Sequence, residues 1–319
     1  MQGIVGGGGL GWGAALNDRS FRVSGGPRQL AVWGLAVPAP APATIVITMT
    51  DAPHHTPPGN AQAAASAPTA RLALACLDLT SLNDGDDAAA ITALCARASQ
   101  GAAGAPAAVC VWPRFVALAR AALPARIRVA AVANFPAGGL DVAMAVADAR
   151  AIVDAGGDEV DLVLPWRALQ AGDAAGAAAV VVAVRAACAG HTLKLIVESG
   201  DLATPALVHQ ASLIGLDAGV DFLKTSTGKT STGATPEAAR LMLQAIAGHP
   251  RGGAVGFKAS GGIRTVADAA AYIALVRQIL GDAAVSPARL RFGASGLLGD
   301  IEAVLAGQGA GNTTAPGSY

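Results

Sequence analysis

Two lysines close consecutive apolar runs, and a loop of small or polar residues follows each. Lys224 ends Val220-Asp221-Phe222-Leu223-Lys224 and leads into Thr225-Ser226-Thr227-Gly228-Lys229. Lys258 ends Ala254-Val255-Gly256-Phe257-Lys258 and leads into Ala259-Ser260-Gly261-Gly262. If the runs are adjacent strands, about 4.8 Å apart, inward-pointing lysines at their ends are near neighbours. A free lysine has a pKa of about 10.4, so its attacking, neutral form is scarce at neutral pH. Lowering that pKa by about three units takes roughly 4 kcal/mol of differential interaction. A second ammonium and partial desolvation act in that direction. The pair therefore makes sense as a carbonyl-attacking nucleophile, Lys224, with an electrostatic tuner, Lys258. The plainer alternative is that each lysine snorkels to solvent or pairs with a carboxylate.

A carboxylate inside another apolar run fits the same chemistry. Asp161 lies within Asp158-Glu159-Val160-Asp161-Leu162-Val163-Leu164, where an unpaired charge is expensive. It suits either a structural ion pair or proton shuttling during carbinolamine formation and breakdown. Two glycine-rich loops, Ser260-Gly261-Gly262 and Gly293-Ala294-Ser295-Gly296, each lead into a helical stretch. Glycines let backbone N–H groups approach an anion, serines donate, and helix N-termini favour the charge. Tight turns are the alternative reading.

Residues so placed need a frame of strands with helices between them. Short apolar or β-branched runs occur near 73–77, 107–112, 127–133, 158–164, 193–197, 220–224, 253–258 and 289–292, and Ala- and Leu-rich stretches separate most of them. Eight such units predict an α/β fold with a parallel sheet, and their span is that of a (β/α)8 TIM barrel. An open doubly wound sheet is the alternative. In a barrel the strands' C-terminal ends carry the chemistry, and alternate strands share interior layers. Lys224 and Asp161, two strands apart, then face one another across the interior. Thr235-Pro236-Glu237 and Thr265-Val266-Ala267-Asp268 read as helix starts, and Gly281 reads as a helix stop.

The chain has 319 residues, 53% hydrophobic and only 14% charged, with Lys plus Arg equal to Asp plus Glu at 22 each. That balance gives no overall field to attract nucleic acid. Cys76, Cys95, Cys110 and Cys188 form no CxxC pair and have no histidine at ligand spacing, which reads as reduced thiols in a cytoplasmic protein. The uncharged stretch from about residue 30 to 50 contains Pro38, Pro40 and Pro42, so no membrane span is expected. Residues 1–65 have no periodic apolar face and read as a poorly ordered, low-complexity extension, with Met49 as an alternative start. The barrel domain is expected over 66–306, and a flexible tail over 307–319. Three motif matches fail. Gly6-x-Gly8-x-x-Gly11 lacks a βαβ unit, Gly228-Lys229-Thr230 has Leu223 where a P-loop needs glycine, and His54-His55 has no acidic or Cys partner.

The ordered segments resemble the deoxyribose-phosphate aldolases, class I aldolases of deoxynucleoside catabolism. The resemblance runs from Leu77-Asp78-Leu79-Thr80 through Asn134-Phe135-Pro136, Asp158-Glu159-Val160-Asp161 and Pro165-Trp166-Arg167-Ala168-Leu169. It continues through Lys224 to Lys229, Gly256-Phe257-Lys258, Gly261-Gly262 and Arg291-Phe292-Gly293-Ala294-Ser295. It implies reversible cleavage of 2-deoxy-D-ribose 5-phosphate to D-glyceraldehyde 3-phosphate and acetaldehyde, without cofactor or metal. It further implies a Schiff base on Lys224, pKa tuning by Lys258 and proton transfer through Asp161. By the same resemblance Gly261, Gly262, Gly293 and Ser295 hold phosphate, with Thr227 and Lys229 as second contributors. Some members end in a tyrosine after a flexible segment, so Tyr319 is a candidate for assisting proton transfer. One departure is Gly296, where a second serine is common. The N-terminal extension has no counterpart in the family. Homo-oligomerisation is compatible with this reading. The rivals are a phosphosugar isomerase or epimerase, which would use carboxylate or histidine bases, and a barrel that binds a phosphometabolite without catalysis.

Overall fold

A computed structural model describes residues 66–202 and 204–307. The extension, its two motif matches, Met49 and Tyr319 lie outside the described residues. Eight parallel strands close a barrel in sequence order. They are β1 (Leu77–Thr80), β2 (Ala108–Val111), β3 (Arg128–Ala133), β4 (Glu159–Val163), β5 (Thr192–Ile196), β6 (Phe222–Lys224), β7 (Gly256–Ser260) and β8 (Leu290–Ala294). Helix α1 (Ala67–Ala75) precedes β1. The helices that follow are α2 (Ala88–Gln100), α3 (Val116–Ala122), α4 (Val142–Asp154), α5 (Trp166–Gln170), α6 (Ala174–Ala187), α7 (Pro205–Ala218), α8 (Pro236–Gly248), α9 (Val266–Leu280) and α10 (Leu297–Leu305).

Seven of the eight expected runs coincide with strands, three of them with shifted bounds: β6 begins at 222 rather than 220, β7 at 256 rather than 253, and β8 extends to 294. The first does not. Residues 73–75 finish helix α1, and the first strand starts at Leu77. The spacing explains the error, because Ala70, Ala73 and Leu74 are the buried residues of α1, an i, i+3, i+4 stripe that a short apolar window mistakes for a strand. Ser66 caps that helix and a proline follows, so its start carried a signal. Thr235 caps α8, and Thr265 with Asp268 forms a complete capping box on α9, as expected.

Strand pairing sorts each strand's residues into two faces. Leu77, Leu79, Val109, Val111, Val160, Leu162, Leu193, Leu195, Leu223 and Phe257 belong to the main hydrophobic core. Their in-between neighbours are of another kind: Asp78, Thr80, Cys110, Glu159, Asp161, Lys194, Lys224, Lys258 and Arg291, all buried. The helix-facing side thus supplies the apolar burial that stabilises the barrel, and the inward side carries the charges. Apolar area removed from water contributes about 25 cal/mol per Å², so this outer layer sets the stability against which buried charge is tolerated.

One contact shows how tightly the lower interior is filled. Gly256 pairs with Phe222, and a Cβ on Gly256 would lie 2.3 Å from the Phe222 ring. The Arg291 guanidinium lies over the same ring, 5.5 Å from its centroid. Gly256→Ala should therefore destabilise the barrel by about 1–3 kcal/mol, the usual cost of overpacking. Thermal unfolding tests this: a drop of several degrees is expected, and an unchanged midpoint would show that the ring yields freely.

Candidate active site

Lys224 and Lys258 occupy paired positions on β6 and β7, and Asp161 on β4 pairs in turn with Lys194 on β5. Asp161 is the hub. Its Oδ2 accepts from Lys224 Nζ at 2.9 Å and from Lys258 Nζ at 2.8 Å, and its Oδ1 accepts from Lys194 Nζ at 2.7 Å. Lys258 also donates to Asp78 Oδ2 at 2.5 Å. Lys194 reaches Glu159 Oε2 at 2.6 Å and Asp78 Oδ2 at 3.4 Å. Arg291 closes the set, donating to Asp78 Oδ1 at 2.6 Å and to Glu159 Oε1 at 2.9 Å. The three residues expected from the sequence are thus brought together.

Four residues of this network went unnoticed as participants in the sequence: Asp78, Glu159, Lys194 and Arg291. A signal exists for three of them: Asp78, Lys194 and Arg291 each stand between apolar neighbours at inward parity, as in Leu193-Lys194-Leu195 and Leu290-Arg291-Phe292, whereas Glu159 lies in a run of acidic residues with Asp158 and Asp161. No pairwise motif announces that they belong to one cluster, because the partners lie on four different strands.

The protonation of Lys224 follows from the count of charges. Lys194, Lys224, Lys258 and Arg291 face Asp78, Glu159 and Asp161, four cations against three carboxylates, all buried. Within this network of direct contacts one positive charge is in excess, with Glu198 acting on Lys224 only from beyond ion-pair range, and a low-dielectric interior disfavours that extra charge. Lys194 touches three carboxylates and Lys258 two, whereas Lys224 touches Asp161 alone. Arginine does not deprotonate in proteins. Lys224 is therefore the cation held least firmly in its charged form. Burial pulls its pKa below the ordinary lysine value, Asp161 opposes this, and the Lys258 ammonium reinforces it. Burial acts on Lys258 in the same sense, but Asp161 and Asp78 reverse it and hold Lys258 protonated. Burial would raise Asp161, yet Lys194, Lys224 and Lys258 keep it well below the usual carboxylate range.

Beside this network the interior turns apolar. Leu82, Cys110, Ala130 and Val132 form a buried cluster flanked by Trp112 and Phe135, whose rings meet edge to face at 5.5 Å. Burial raises the Cys110 thiol, and Asp161 raises it further, so the thiol stays protonated. One side of the amine is thus polar and one side dry.

The expected anion-binding residues sit at the same, C-terminal ends of the strands, although Gly293, expected on a loop, lies within β8 and the loop starts only at Ser295. Gly261 and Gly262 both adopt left-handed backbone, at φ +85° and +87°. Gly293 packs so closely that a Cβ would lie 2.6 Å from Ser260 Oγ and 3.0 Å from Lys258 Cε. Ser295 and Gly296 are exposed, and α10 begins after Gly296 with no side-chain cap. The Gly299 N–H donates to the Gly296 carbonyl at 3.2 Å, so the Leu297 and Leu298 N–H groups are the first-turn donors that a side-chain cap would have taken. Thr227 is buried, and both its backbone N–H and its hydroxyl donate to Glu198. The Lys229 ammonium turns towards Asp84, at 3.4 Å, and the Trp112 ring. Thr227 thus has both its backbone N–H and its hydroxyl engaged within the chain, and the Lys229 ammonium has a carboxylate and a ring as neighbours.

The profile of DeoC/LacD family aldolases matches residues 72–298. A deoxyribose-phosphate aldolase from Agrobacterium fabrum is 48% identical over 241 residues, covering 75% of this chain and 92% of that protein. A structure from Coccidioides immitis assigned to the deoxyribose-phosphate aldolases superposes with a TM-score of 0.63 at 28% identity, over 73% of this chain and 86% of that one. The tetrameric deoxyribose phosphate aldolase of Aeropyrum pernix shares the fold, with a TM-score of 0.57 at 22% identity over 74% and 91% of the two chains.

Replacing Lys258 by Met removes the ammonium that depresses Lys224 and frees Asp161 to hold the Lys224 proton more firmly. Both changes raise the Lys224 pKa. The pH at which Lys224 becomes trappable by a small aldehyde and borohydride should therefore rise. Trapping at neutral pH should fall about tenfold for every unit by which that pKa increases. A lower plateau at an unmoved pH midpoint would contradict this electrostatic role.

Proposed function

The chain belongs to the DeoC/LacD aldolase family, and from that premise we propose that it is a deoxyribose-phosphate aldolase working through a Schiff base on Lys224. The substrate is 2-deoxy-D-ribose 5-phosphate, cleaved reversibly to D-glyceraldehyde 3-phosphate and acetaldehyde. The observation that carries the mechanism is the single excess cation in a buried cluster, which leaves Lys224 as the one amine poised to be neutral.

On this reading the neutral Lys224 amine attacks C1 of the open-chain aldehyde. The carbinolamine loses water to give an iminium, which is the electron sink for cleavage. The C2–C3 bond breaks as the C3 hydroxyl gives up its proton, and the electron pair of that bond moves into an enamine. Glyceraldehyde 3-phosphate leaves, the enamine takes a proton at C2, and water hydrolyses the resulting iminium to acetaldehyde and free amine. Asp161 touches Lys224 Nζ and is the nearest placed carboxylate for moving protons at that nitrogen. The positive charge of Lys258 and Lys194 keeps it ionised. The phosphate is held by the Gly261-Gly262 turn, Gly293, Ser295 and the uncapped start of α10, with Thr227 and Lys229 shaping the neighbouring loop.

No metal or cofactor has a role in this scheme. Asp78, Glu159 and Asp161 are each bound by cationic side chains, which leaves them poor candidates for metal ligation. A cytoplasmic location fits four free, buried cysteines. No helix among the described residues is long and apolar enough to cross a membrane. A homo-oligomer is part of the proposal, supported by the exposed apolar side chains of Leu140, Val142 and Met144 at the start of α4.

Trapping with acetaldehyde and borohydride, followed by peptide mapping, is the direct test, with the adduct expected on Lys224. Lys224→Met should lower cleavage on the order of a thousandfold or more while the protein stays folded. An adduct elsewhere, or cleavage that survives the substitution, would remove the mechanism and favour a binding barrel or different chemistry.

A further inference from the structure

Glu198 is buried, with none of its side chain open to solvent, and among the described residues it is the one fully buried carboxylate with no cation in ion-pair range. It lies two residues beyond β5 at φ +54°, a left-handed conformation that side chains other than Asn, Asp or Gly seldom adopt. A buried carboxylate whose hydrogen-bond partners are all neutral, with Lys224 acting on it only at longer range, is costly on strained backbone and persists where the surroundings depend on it.

The dependence is visible in its partners. The Thr227 hydroxyl donates to Glu198 Oε2 at 2.6 Å, and the Thr227 N–H donates to Oε1 at 3.2 Å. The Thr230 hydroxyl reaches Oε1 at 3.5 Å. The Lys229 N–H donates back to Thr227 Oγ1 at 3.0 Å, so the turn at 227–230 is wound around one carboxylate. The turn then passes its position on. Gly200 lies against Thr232, where a Cβ would meet the carbonyl at 2.3 Å, and Gly233 lies against Gly261, where a Cβ would meet the carbonyl at 2.4 Å. The Ala234 N–H bonds to the Ser260 and Gly261 carbonyls at 3.1 and 3.0 Å. A continuous run of contacts therefore joins Glu198 to the Gly261-Gly262 turn.

We propose that Glu198 is a positioning residue for the phosphate end of the substrate, holding the Thr227–Thr230 turn and, through Gly233, the Gly261-Gly262 loop in register. It makes the enzyme selective for the phosphorylated sugar and takes no part at the reacting carbons. This rests on the reading of those glycine loops as the phosphate site. It also assigns Thr227 a role: with its N–H and its hydroxyl proton both committed to Glu198, Thr227 is a strut and not a phosphate donor.

The test compares 2-deoxyribose 5-phosphate with unphosphorylated 2-deoxyribose in the wild type, Glu198→Ala, Glu198→Gln and Thr227→Val. Glu198→Ala should raise KM for the phosphorylated sugar on the order of tenfold, with kcat for both sugars nearly unchanged. Glu198→Gln keeps an acceptor for Thr227 and should recover most of that loss. Thr227→Val keeps the shape and removes the hydroxyl, so it should reproduce the KM effect even if Glu198→Ala does not fold. Equal losses with both sugars would make Glu198 a purely structural residue and overturn the proposal. So would an unchanged KM in a wild type that does prefer the phosphorylated sugar. A wild type with no preference for phosphate would remove the loop assignment itself, and the role of Glu198 with it.

Discussion

The bond on which the site depends is the one between Asp161 and three ammonium groups. A single carboxylate, on the fourth strand, accepts from Lys194 at one oxygen and from Lys224 and Lys258 at the other. It is both the attraction that permits three lysines in a dry interior and the limit on how many of them stay charged. Removing one partner from a buried pair typically costs about 3–5 kcal/mol, so a change at any member of this cluster is felt by the others. Chemistry and folding share one set of contacts here. The apolar layer between strands and helices contributes the stability, and the inward face uses part of it to hold charge.

The unequal neighbourhoods of the three lysines convert that constraint into reactivity. Lys194 sits deepest, among Glu159, Asp161 and Asp78, and burial, which disfavours its charge, is outweighed by those carboxylates. Lys258 lies between Asp78 and Asp161. Lys224, at the C-terminal end of its strand, has only the hub. Burial then dominates at Lys224 and is overcome at the other two. The gradient is geometric: from Lys194 to Lys258 to Lys224 each lysine has fewer carboxylates, and the one with a single partner is the one whose pKa is lowered. A strand register shifted by one residue would turn every one of these side chains outward.

Much of this was legible in the sequence, for physical reasons that also explain what was not. Lys224 and Lys258 stand out because each interrupts the boundary between an apolar run and a small-residue loop, a local signal. Asp161 stands out because a carboxylate amid Val and Leu is expensive. Lys194 and Arg291 carry the same local signal, but their meaning depends on closure, which brings β8 beside β1 and places Arg291 between Asp78 and Glu159. Glu198 was harder to see. It follows the strand, in Val197-Glu198-Ser199-Gly200, where a carboxylate ordinarily faces water, and only the approach of the 227–230 turn buries it. The strand misplaced at 73–77 failed for a related reason, since four or five apolar residues fit either period until their neighbours are known.

On the proposed assignment of the glycine loops to the phosphate, the two ends of the site are built on different principles, with a consequence for discrimination. Around Lys224 the contacts are between full charges at fixed strand positions, where small displacements change electrostatic energies steeply. Around Gly261, Gly262, Gly293 and Ser295 the contacts are backbone amides, glycine turns and a helix start, held by loop-to-loop packing. Strand positions are rigid because each is hydrogen-bonded on both sides, whereas loops owe their position to a few side-chain ties such as Glu198 to Thr227. On that assignment substrate grip can be altered through a neutral tie such as the Thr227 hydroxyl while the ion pairs of the amine stay in place. Altering the amine's protonation, by contrast, cannot avoid the barrel's core, because the groups that set it are the same groups that neutralise one another there.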